Sequence, residues 1–336
     1  MCGSPKVSVI VPVYNAGENL VQSIESLLNQ TLKSIEIIIV NDASTDGSRL
    51  LIDRLACDHD SIVPIHLKKN CGVHEARLAG LKKATAPWIG FLDADDFARP
   101  NMFELMYSRG VEYGAEIVVC GSYRVTPSQK IISTKLRFKR NAKIESKIFE
   151  KFCRFEFGTG TLWNKLYRRD LIASFASMHF PWRQDINEDL ILNIGCFHRA
   201  NSVYLCRDIL YNYTFNKNSV TSTTSNAQAY VNTYRAAALA IDCFSRSGSD
   251  SLIKIIDMYR TQLSWSDYLI DDIHTLIPYE PELQEATDLI SSAYPAALAL
   301  LSPRQRPRVI GVRLAIKSVL HRGLITLGLR PISLKR

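Results

Sequence analysis

Three aspartates close a short apolar run, Phe91-Leu-Asp-Ala-Asp-Asp96. In extended chain, Asp93 and Asp95 project to the same side. Two carboxylates about 4 Å apart repel by roughly 4 kcal/mol at an effective dielectric near 20. A hard divalent cation relieves that repulsion. Mg²⁺ or Mn²⁺ is commonly held by one or two carboxylates, with phosphate oxygens and water completing its shell. The D-x-D spacing therefore suits half of a site for a metal diphosphate, although an acidic triplet in a loop, taken alone, is more often a solvated turn or helix cap. A second acidic pair, Glu188-Asp189, precedes Leu190, Ile191 and Ile194 at helical spacing, and acids favour the first turn of a helix.

Other phosphate and metal chemistries lack their signatures. No G-x-x-x-x-G-K-[ST] occurs, and Gly158-Thr-Gly160 has Trp163 where a dinucleotide fingerprint needs its third glycine. No H-E-x-x-H or paired cysteine spacing points to zinc. The eight cysteines are scattered without a C-x-x-C pair, and Met1 to Lys6 leads straight into a strand-like run with no secretory pattern. These features imply reduced thiols and a cytoplasmic location.

The elements that must position the acidic groups follow from periodicity. Val7–Val11, Glu36–Val40, Ile62–Leu67 and Pro87–Leu92 read as strands, separated by helices over Glu18–Gln30, around Leu50–Leu55 and over Val73–Ala84. Near-continuous apolar strands alternating with helices indicate an α/β fold with a mostly parallel, Rossmann-like sheet buried on both faces. Each strand stops at a polar cluster: Tyr14-Asn15, Asn41-Asp42, Lys69-Asn70 and Asp93–Asp96. In an open parallel sheet the carboxyl ends form the ligand crevice, so these clusters should converge; taken singly, each is also an ordinary polar loop.

Several segments together resemble the inverting glycosyltransferases of family 2, with the GT-A fold. They are Val9-Ile-Val-Pro-Val-Tyr-Asn15, Val40-Asn-Asp-Ala-Ser-Thr-Asp-Gly47, Asn70-Cys-Gly-Val-His-Glu-Ala-Arg77, Phe91-Leu-Asp-Ala-Asp-Asp96, Leu162-Trp-Asn-Lys-Leu-Tyr-Arg-Arg169 and Asn187-Glu-Asp189, in the family's order. The resemblance implies that Pro12, Tyr14, Asn15 and Asp42 line a nucleoside pocket, with Asp42 accepting from the uracil of a UDP-sugar. It implies that Arg77 lies near the base and diphosphate. Asp93, with Ala94 beside it, would face the ribose and metal shell, Asp95 would ligate Mn²⁺ or Mg²⁺ directly, and Asp189, with Glu188 beside it, would be the catalytic base. Trp163 and Trp182 would flank the acceptor and stack on a sugar ring, or else pack in the core. Two positions depart from the family's pattern. Leu78 stands where Asn often follows the arginine, and Lys217 stands near the place of an arginine, offering a phosphate a point charge without the bidentate fork.

The resemblance thus implies a metal-dependent enzyme moving a sugar from a nucleotide-sugar donor to a hydroxyl of a glycan or glycolipid acceptor. The alternative is a non-catalytic nucleotide-sugar-binding or scaffold subunit of a polysaccharide assembly complex; a nucleotidyltransferase would need an amino-terminal glycine-rich and lysine signature that is missing. The expected organisation is a GT-A domain over 1–225, with a nucleotide-binding half (1–120) and an acceptor half (121–225). A helical extension over 226–302 follows, with helices at Ala227–Ser247, Leu252–Ile277 and Glu282–Leu301, the last kinked or divided at Pro295.

Charge is distributed unevenly. The chain carries 41 Lys+Arg and 33 Asp+Glu, net +8, but nine of the basic residues and none of the acidic ones lie between Pro303 and Arg336. Without that tail the chain is close to neutral, which disfavours nucleic acid as a partner. Val312, Ala315, Ile316, Val319 and Leu320 on one side against Arg313, Lys317 and His321 on another give the tail a basic amphipathic pattern, interrupted by Leu314 and Ile325, that suits an anionic membrane surface at the cytoplasmic face. A tail packed on the body or on a partner protein is the other reading. We expect the full chain to sediment with anionic vesicles and a chain ending at Leu301 to stay in the supernatant; equal sedimentation would remove the membrane role.

Overall fold

The structure is a computed structural model that describes residues 4–216, 223–270 and 272–301. The first half alternates as the apolar periodicity requires: β1 (Val7–Val13), α1 (Asn19–Leu28), β2 (Ile35–Asn41), α2 (Ser48–Asp58), β3 (Ile62–His66), α3 (Val73–Lys83), β4 (Trp88–Phe91), β5 (Phe97–Ala98) and α4 (Met102–Tyr113). Then come β6 (Ile117–Val125), β7 (Ile131–Leu136), β8 (Ala142–Ile144), α5 (Ile148–Cys153), β9 (Lys165–Arg168), α6 (Arg169–Ile172), α7 (Glu188–Arg199) and β10 (Val203–Thr214).

All ten strands join one sheet, whose main path runs β3-β2-β1-β4-β9-β6-β10-β5, with β7 beside β6 and β8 beside β10. Along that path β9 runs against β4 and β6, and β5 runs against β10; the other six strands share one direction. Side chains alternate across β1 with the strand period: Val9 and Val11 face a core built with Leu20, Ile24 and Met102, whereas Ile10 faces one built with Ala76, Leu78 and Leu81. Both faces are therefore covered, as the unbroken apolar strands require. The result is the expected mixed α/β architecture with a helical carboxyl-terminal part.

That part comprises α8 (Asn226–Phe244), α9 (Ser249–Gln262), α10 (Glu280–Ala293) and α11 (Ala297–Leu301). It shares a continuous core with the sheet: Tyr230, Leu239, Ile255 and Ile290 belong to the same buried cluster as Ile191 and Phe197 of α7. Pro295 falls between α10 and α11, where the chain divides. The helix expected over Leu252–Ile277 is shorter than its apolar pattern suggested. It ends at Gln262 and is followed by a 3₁₀ turn at Ser266–Tyr268 and a seven-residue 3₁₀ helix at Ile273–Tyr279. Short polar side chains compete with the helical ladder there: Ser264 Oγ donates to Thr261 O at 2.6 Å, and Asp272 Oδ1 accepts from His274 N at 2.9 Å. Among the described residues no helix is long and apolar enough to cross a membrane. The basic tail over 303–336 and Lys217 lie outside the described residues.

Helix α3 approaches the sheet closely at Gly80. A Cβ there would lie 2.4 Å from Ile10 Cγ2 and 3.1 Å from its Cγ1, in the middle of β1. Gly80→Val should therefore cost about 1–3 kcal/mol by overpacking, read as a lower urea midpoint with an unchanged slope; an unshifted midpoint would mean that α3 does not press on β1.

Candidate active site

The four strand-end clusters meet through side chains. Asn15, with φ +50°, accepts from Thr45 N at 2.8 Å and donates its own amide to Ser44 Oγ at 3.0 Å, linking the ends of β1 and β2. Asp42, 3 % exposed, accepts from Cys71 N at 2.7 Å and Gly72 N at 2.8 Å, so its carboxylate shapes the loop entering α3. Asn70 Oδ1 accepts from Arg183, whose Nε donates to Asp185 at 2.7 Å. Pro12 is buried in β1, and Tyr14 is half exposed at its end. The expected nucleoside residues thus stand along one edge, and Arg183 and Asp185 join it from the far side of the chain.

At the centre lies Arg77, in the middle of α3 and 4 % exposed. Its Nη1 donates to Glu188 Oε1 at 2.5 Å and its Nη2 to Asp93 Oδ1 at 3.2 Å. These bonds make Arg77, expected near the base and diphosphate, an internal bridge between the end of β4 and the start of α7. Glu188 is consumed by that bridge and is itself buried. Asp189, one residue on, remains partly accessible and lines a cavity of about 620 Å³ with Asp93 and Asp95. The surrounding protein and the adjacent Glu188 push the Asp189 carboxyl up to about 7, against a smaller opposing pull from Arg77. Adjacent acids thus divide: Glu188 is paired with Arg77, and Asp189 lines the cavity.

Asp93, Ala94, Asp95 and Asp96 also divide. Asp96 is buried and structural, accepting from Tyr211 OH and Thr214 N, each at 2.7 Å. Ala94 O accepts from Ser23 Oγ of α1 at 2.8 Å, which fixes the turn. The Asp95 carboxylate has no hydrogen-bond or ion-pair partner among the other described residues. Burial first, then the Asp93 charge, raises its carboxyl to about 6. A desolvated carboxylate beside a second one fits a hard divalent cation. No group of three or more potential protein ligands gathers among the described residues. Asp93 and Asp95 would supply such an ion with two carboxylates, leaving phosphate and water oxygens to complete its shell.

Several features were not legible in advance. Lys165 has no exposed surface, and its ammonium donates to Asn164 Oδ1 at 3.0 Å, to Thr161 O, and to Thr159 O at 3.4 Å. Burial draws it down to about 8, with the nearby Asp189 charge opposing that shift. Asn193 of α7 donates to Gly160 O at 2.6 Å, so the 159–161 loop on the cavity wall is pinned from two sides. Gly160 has no substitute there, since a Cβ would meet Leu190 Cδ1 at 2.4 Å. A lysine with Leu162, Trp163, Leu166 and Tyr167 around it in sequence was the available signal.

On the opposite wall, Lys135 Nζ lies 3.6 Å from the centroid of the Tyr213 ring and 5.2 Å from that of Trp163. Trp163 lines the cavity but is mainly a core ring, stacked on Tyr211 at 4.3 Å. Trp182 packs elsewhere, under the Arg235 guanidinium. Leu78 is buried in the core under α3. His74, stacked on Phe180 and bonded to Met178 O, is structural.

The carboxyl-terminal part completes the cavity through Gln262, Trp265 and Tyr268. Facing them is Phe155, after the end of α5, with φ +58°. Glu156 N donates to Lys151 O at 3.0 Å and Phe155 N to Phe152 O at 2.8 Å, a helix ending that normally has glycine where Phe155 stands. A left-handed conformation in a non-glycine residue costs about 1–2 kcal/mol.

Removing Arg77 should leave a buried unpaired carboxylate, so Arg77→Met should lose about 3–5 kcal/mol in urea unfolding at pH 8. Asp189 has a separate pH signature. Its folded value of about 7 exceeds the reference 3.8, so stability from this group is complete below about pH 4 and is lost as pH rises through about 7. Asp189→Asn should flatten that decline; an unchanged pH–stability curve would mean that Asp189 titrates normally.

The chain is similar in sequence and fold to several known proteins. The glycosyl transferase family 2 model matches residues 8–175. A glycosyltransferase of Bacillus subtilis, EpsJ, is 34% identical over 221 residues, 65% of this chain and 63% of that protein. The cholesterol galactosyltransferase of Borreliella burgdorferi is 29% identical over 66% of this chain and 63% of its own length. The chain therefore spans under two thirds of these relatives. In fold it is similar to S. aureus TarS residues 1–349 solved with UDP-GlcNAc, with TM-score 0.67 at 19% identity over 95% of this chain and 92% of that one. The Pyrobaculum calidifontis mannosyltransferase PcManGT, solved with GDP-Man and Mn²⁺, has TM-score 0.55 at 16% identity over 97% of this chain and 84% of that one. With half its length matched to the family model and its sheet arranged as in these structures, the chain belongs to glycosyltransferase family 2 and has the GT-A fold.

Proposed function

We propose that this protein transfers a sugar from a nucleotide donor, a UDP-sugar, to a hydroxyl of a glycan or lipid-linked glycan in polysaccharide biosynthesis, inverting the anomeric centre. One observation carries the reading. Asp189 faces a cavity that also holds Asp93 and Asp95, while Glu188 beside it is locked to Arg77.

The reaction needs a group to take the proton of a weakly nucleophilic hydroxyl. A carboxylate pushed up to about 7 is suited to that exchange near neutrality. Asp189 accepts the hydroxyl proton as the acceptor oxygen bonds to the anomeric carbon, and the bond from that carbon to the donor phosphate oxygen breaks with its electron pair staying on the nucleoside diphosphate. Attack from the face opposite the leaving group inverts the centre. Mn²⁺ or Mg²⁺ held by Asp95 and Asp93 would neutralise charge on the departing diphosphate. Arg77 keeps Asp93 and α7 in register. Lys165, under the 159–161 loop, holds the wall beside the base.

Related proteins support the substrate class. TarS was solved with UDP-GlcNAc. TarP of Staphylococcus aureus, 39% identical over 36% of this chain and 37% of its own, is a poly(ribitol-phosphate) beta-N-acetylglucosaminyltransferase. The basic 303–336 segment suits an acceptor held at an anionic membrane surface of the cytoplasm.

A panel of nucleotide-sugars with Mn²⁺ or Mg²⁺, scored by nucleoside diphosphate release, tests the reading. We expect release that depends on the metal, and a kcat for Asp189→Asn lower by about 10²–10⁴ with donor KM little changed. Asp95→Asn should weaken metal-dependent donor binding. Full turnover by Asp189→Asn would remove it as the base, and no release from any donor would favour a non-catalytic binding subunit.

A further inference from the structure

The cavity has an aromatic corner on the side supplied by the carboxyl-terminal helices. Phe155 and Trp265 have ring centroids 5.0 Å apart, and Trp265 and Tyr268 have centroids 6.3 Å apart. All three rings line the cavity and are partly open, unlike the buried Trp163. Phe155 reaches this corner in a left-handed backbone conformation at a helix end where glycine would be relaxed. Its ring is thus placed here against the local preference of the chain, as strained residues at ligand sites commonly are.

Gln262, the last residue of α9, supplies an independent observation. It is 4 % exposed, and its Nε2 donates to Asn187 Oδ1 at 3.0 Å and Tyr268 OH at 3.4 Å. Its Oε1 is buried on the cavity lining with no hydrogen-bond partner. A buried carbonyl oxygen without a donor is unfavourable unless a ligand supplies one.

We propose that Phe155, Trp265, Tyr268 and the Gln262 carbonyl form a subsite for one pyranose ring of a glycan acceptor, beside Asp189. The word acceptor rests on the transferase reading above; the ring-binding chemistry does not. A pyranose has a flat C–H face for the aromatic corner and hydroxyls at its edge for Gln262 Oε1. An open-chain polyol lacks the flat face. A sterol has one, but would leave the buried Gln262 carbonyl oxygen without a hydroxyl partner. Because helix α9 ends at Gln262, the chain turns there and presents Trp265 and Tyr268, so the shortened helix is part of the subsite.

The test is saturation-transfer NMR on the full chain with methyl β-D-glucopyranoside, methyl β-D-galactopyranoside and ribitol, with and without UDP and Mg²⁺. We expect saturation of one C–H face of at least one pyranoside and none of ribitol. The pyranoside should bind about tenfold more weakly to Trp265→Ala and to Phe155→Gly. Thermal melts of both variants report folding, and Phe155→Gly, which relieves the backbone, keeps the comparison valid if Trp265→Ala is unstable. Equal pyranoside binding by wild type and both variants, no pyranoside binding at all, or saturation of ribitol as strong as that of the pyranosides would overturn the subsite. Pyranoside binding without nucleotide-sugar turnover by the wild-type chain would remove the transferase reading and leave the subsite. Turnover on glycan acceptors unaffected by both variants would remove the subsite and leave the reading.

Discussion

The arrangement depends on one buried cation. Arg77 is fixed to α3, and its guanidinium reaches the end of β4 through Asp93 and the first residue of α7 through Glu188. A guanidinium this buried is stable only with its charge compensated, so the three elements can pack in only one relative placement without leaving a charge unpaired. That placement sets the distribution of charge in the cavity. Arg77 is occupied by Glu188 and Asp93, and the remaining carboxylates, Asp95 and Asp189, stay desolvated and raised toward neutrality. One is thereby suited to a cation and the other to a proton.

The helical part is coupled to the same point. Asn187, at the start of α7 with φ +64°, donates to Thr233 of α8 and accepts from Gln262 of α9. Gln184 donates to Asn232 O at 2.9 Å. The turn carrying Asp189 is therefore clamped between the sheet, through Arg77, and the carboxyl-terminal helices. Those helices set the position of Asp189 as well as one wall of its cavity, and changes in their packing should be felt there.

Much of this was legible in the sequence, for a physical reason. Strands buried on both faces are continuous apolar runs, so β1, β2 and β4 are apparent in Val7–Val11, Glu36–Val40 and Pro87–Leu92, and the polar clusters after them mark the crevice. The division of labour between neighbours was not legible. Glu188 and Asp189 are alike in sequence, as are Asp95 and Asp96; only the distant partners Arg77, Tyr211 and Thr214 separate them. The aromatic corner was also invisible, because it depends on a helix ending at Gln262 where the apolar pattern continued to Ile277, and on a left-handed Phe155. Trp163 stands in a family motif, yet the more open ring is Trp265, far away in sequence.

The most direct measurement is the titration of Asp189 itself. Carboxyl ¹³C NMR of protein labelled at aspartate, with the resonance assigned by its loss in Asp189→Asn, follows one group through pH 3 to 9. With Arg77 committed to Glu188 and Asp93, and Asp189 desolvated beside them, the resonance should titrate with a midpoint near 7. A midpoint near 4, that of an ordinary solvated aspartate, would contradict the assignment of Asp189 as the group poised to take a proton.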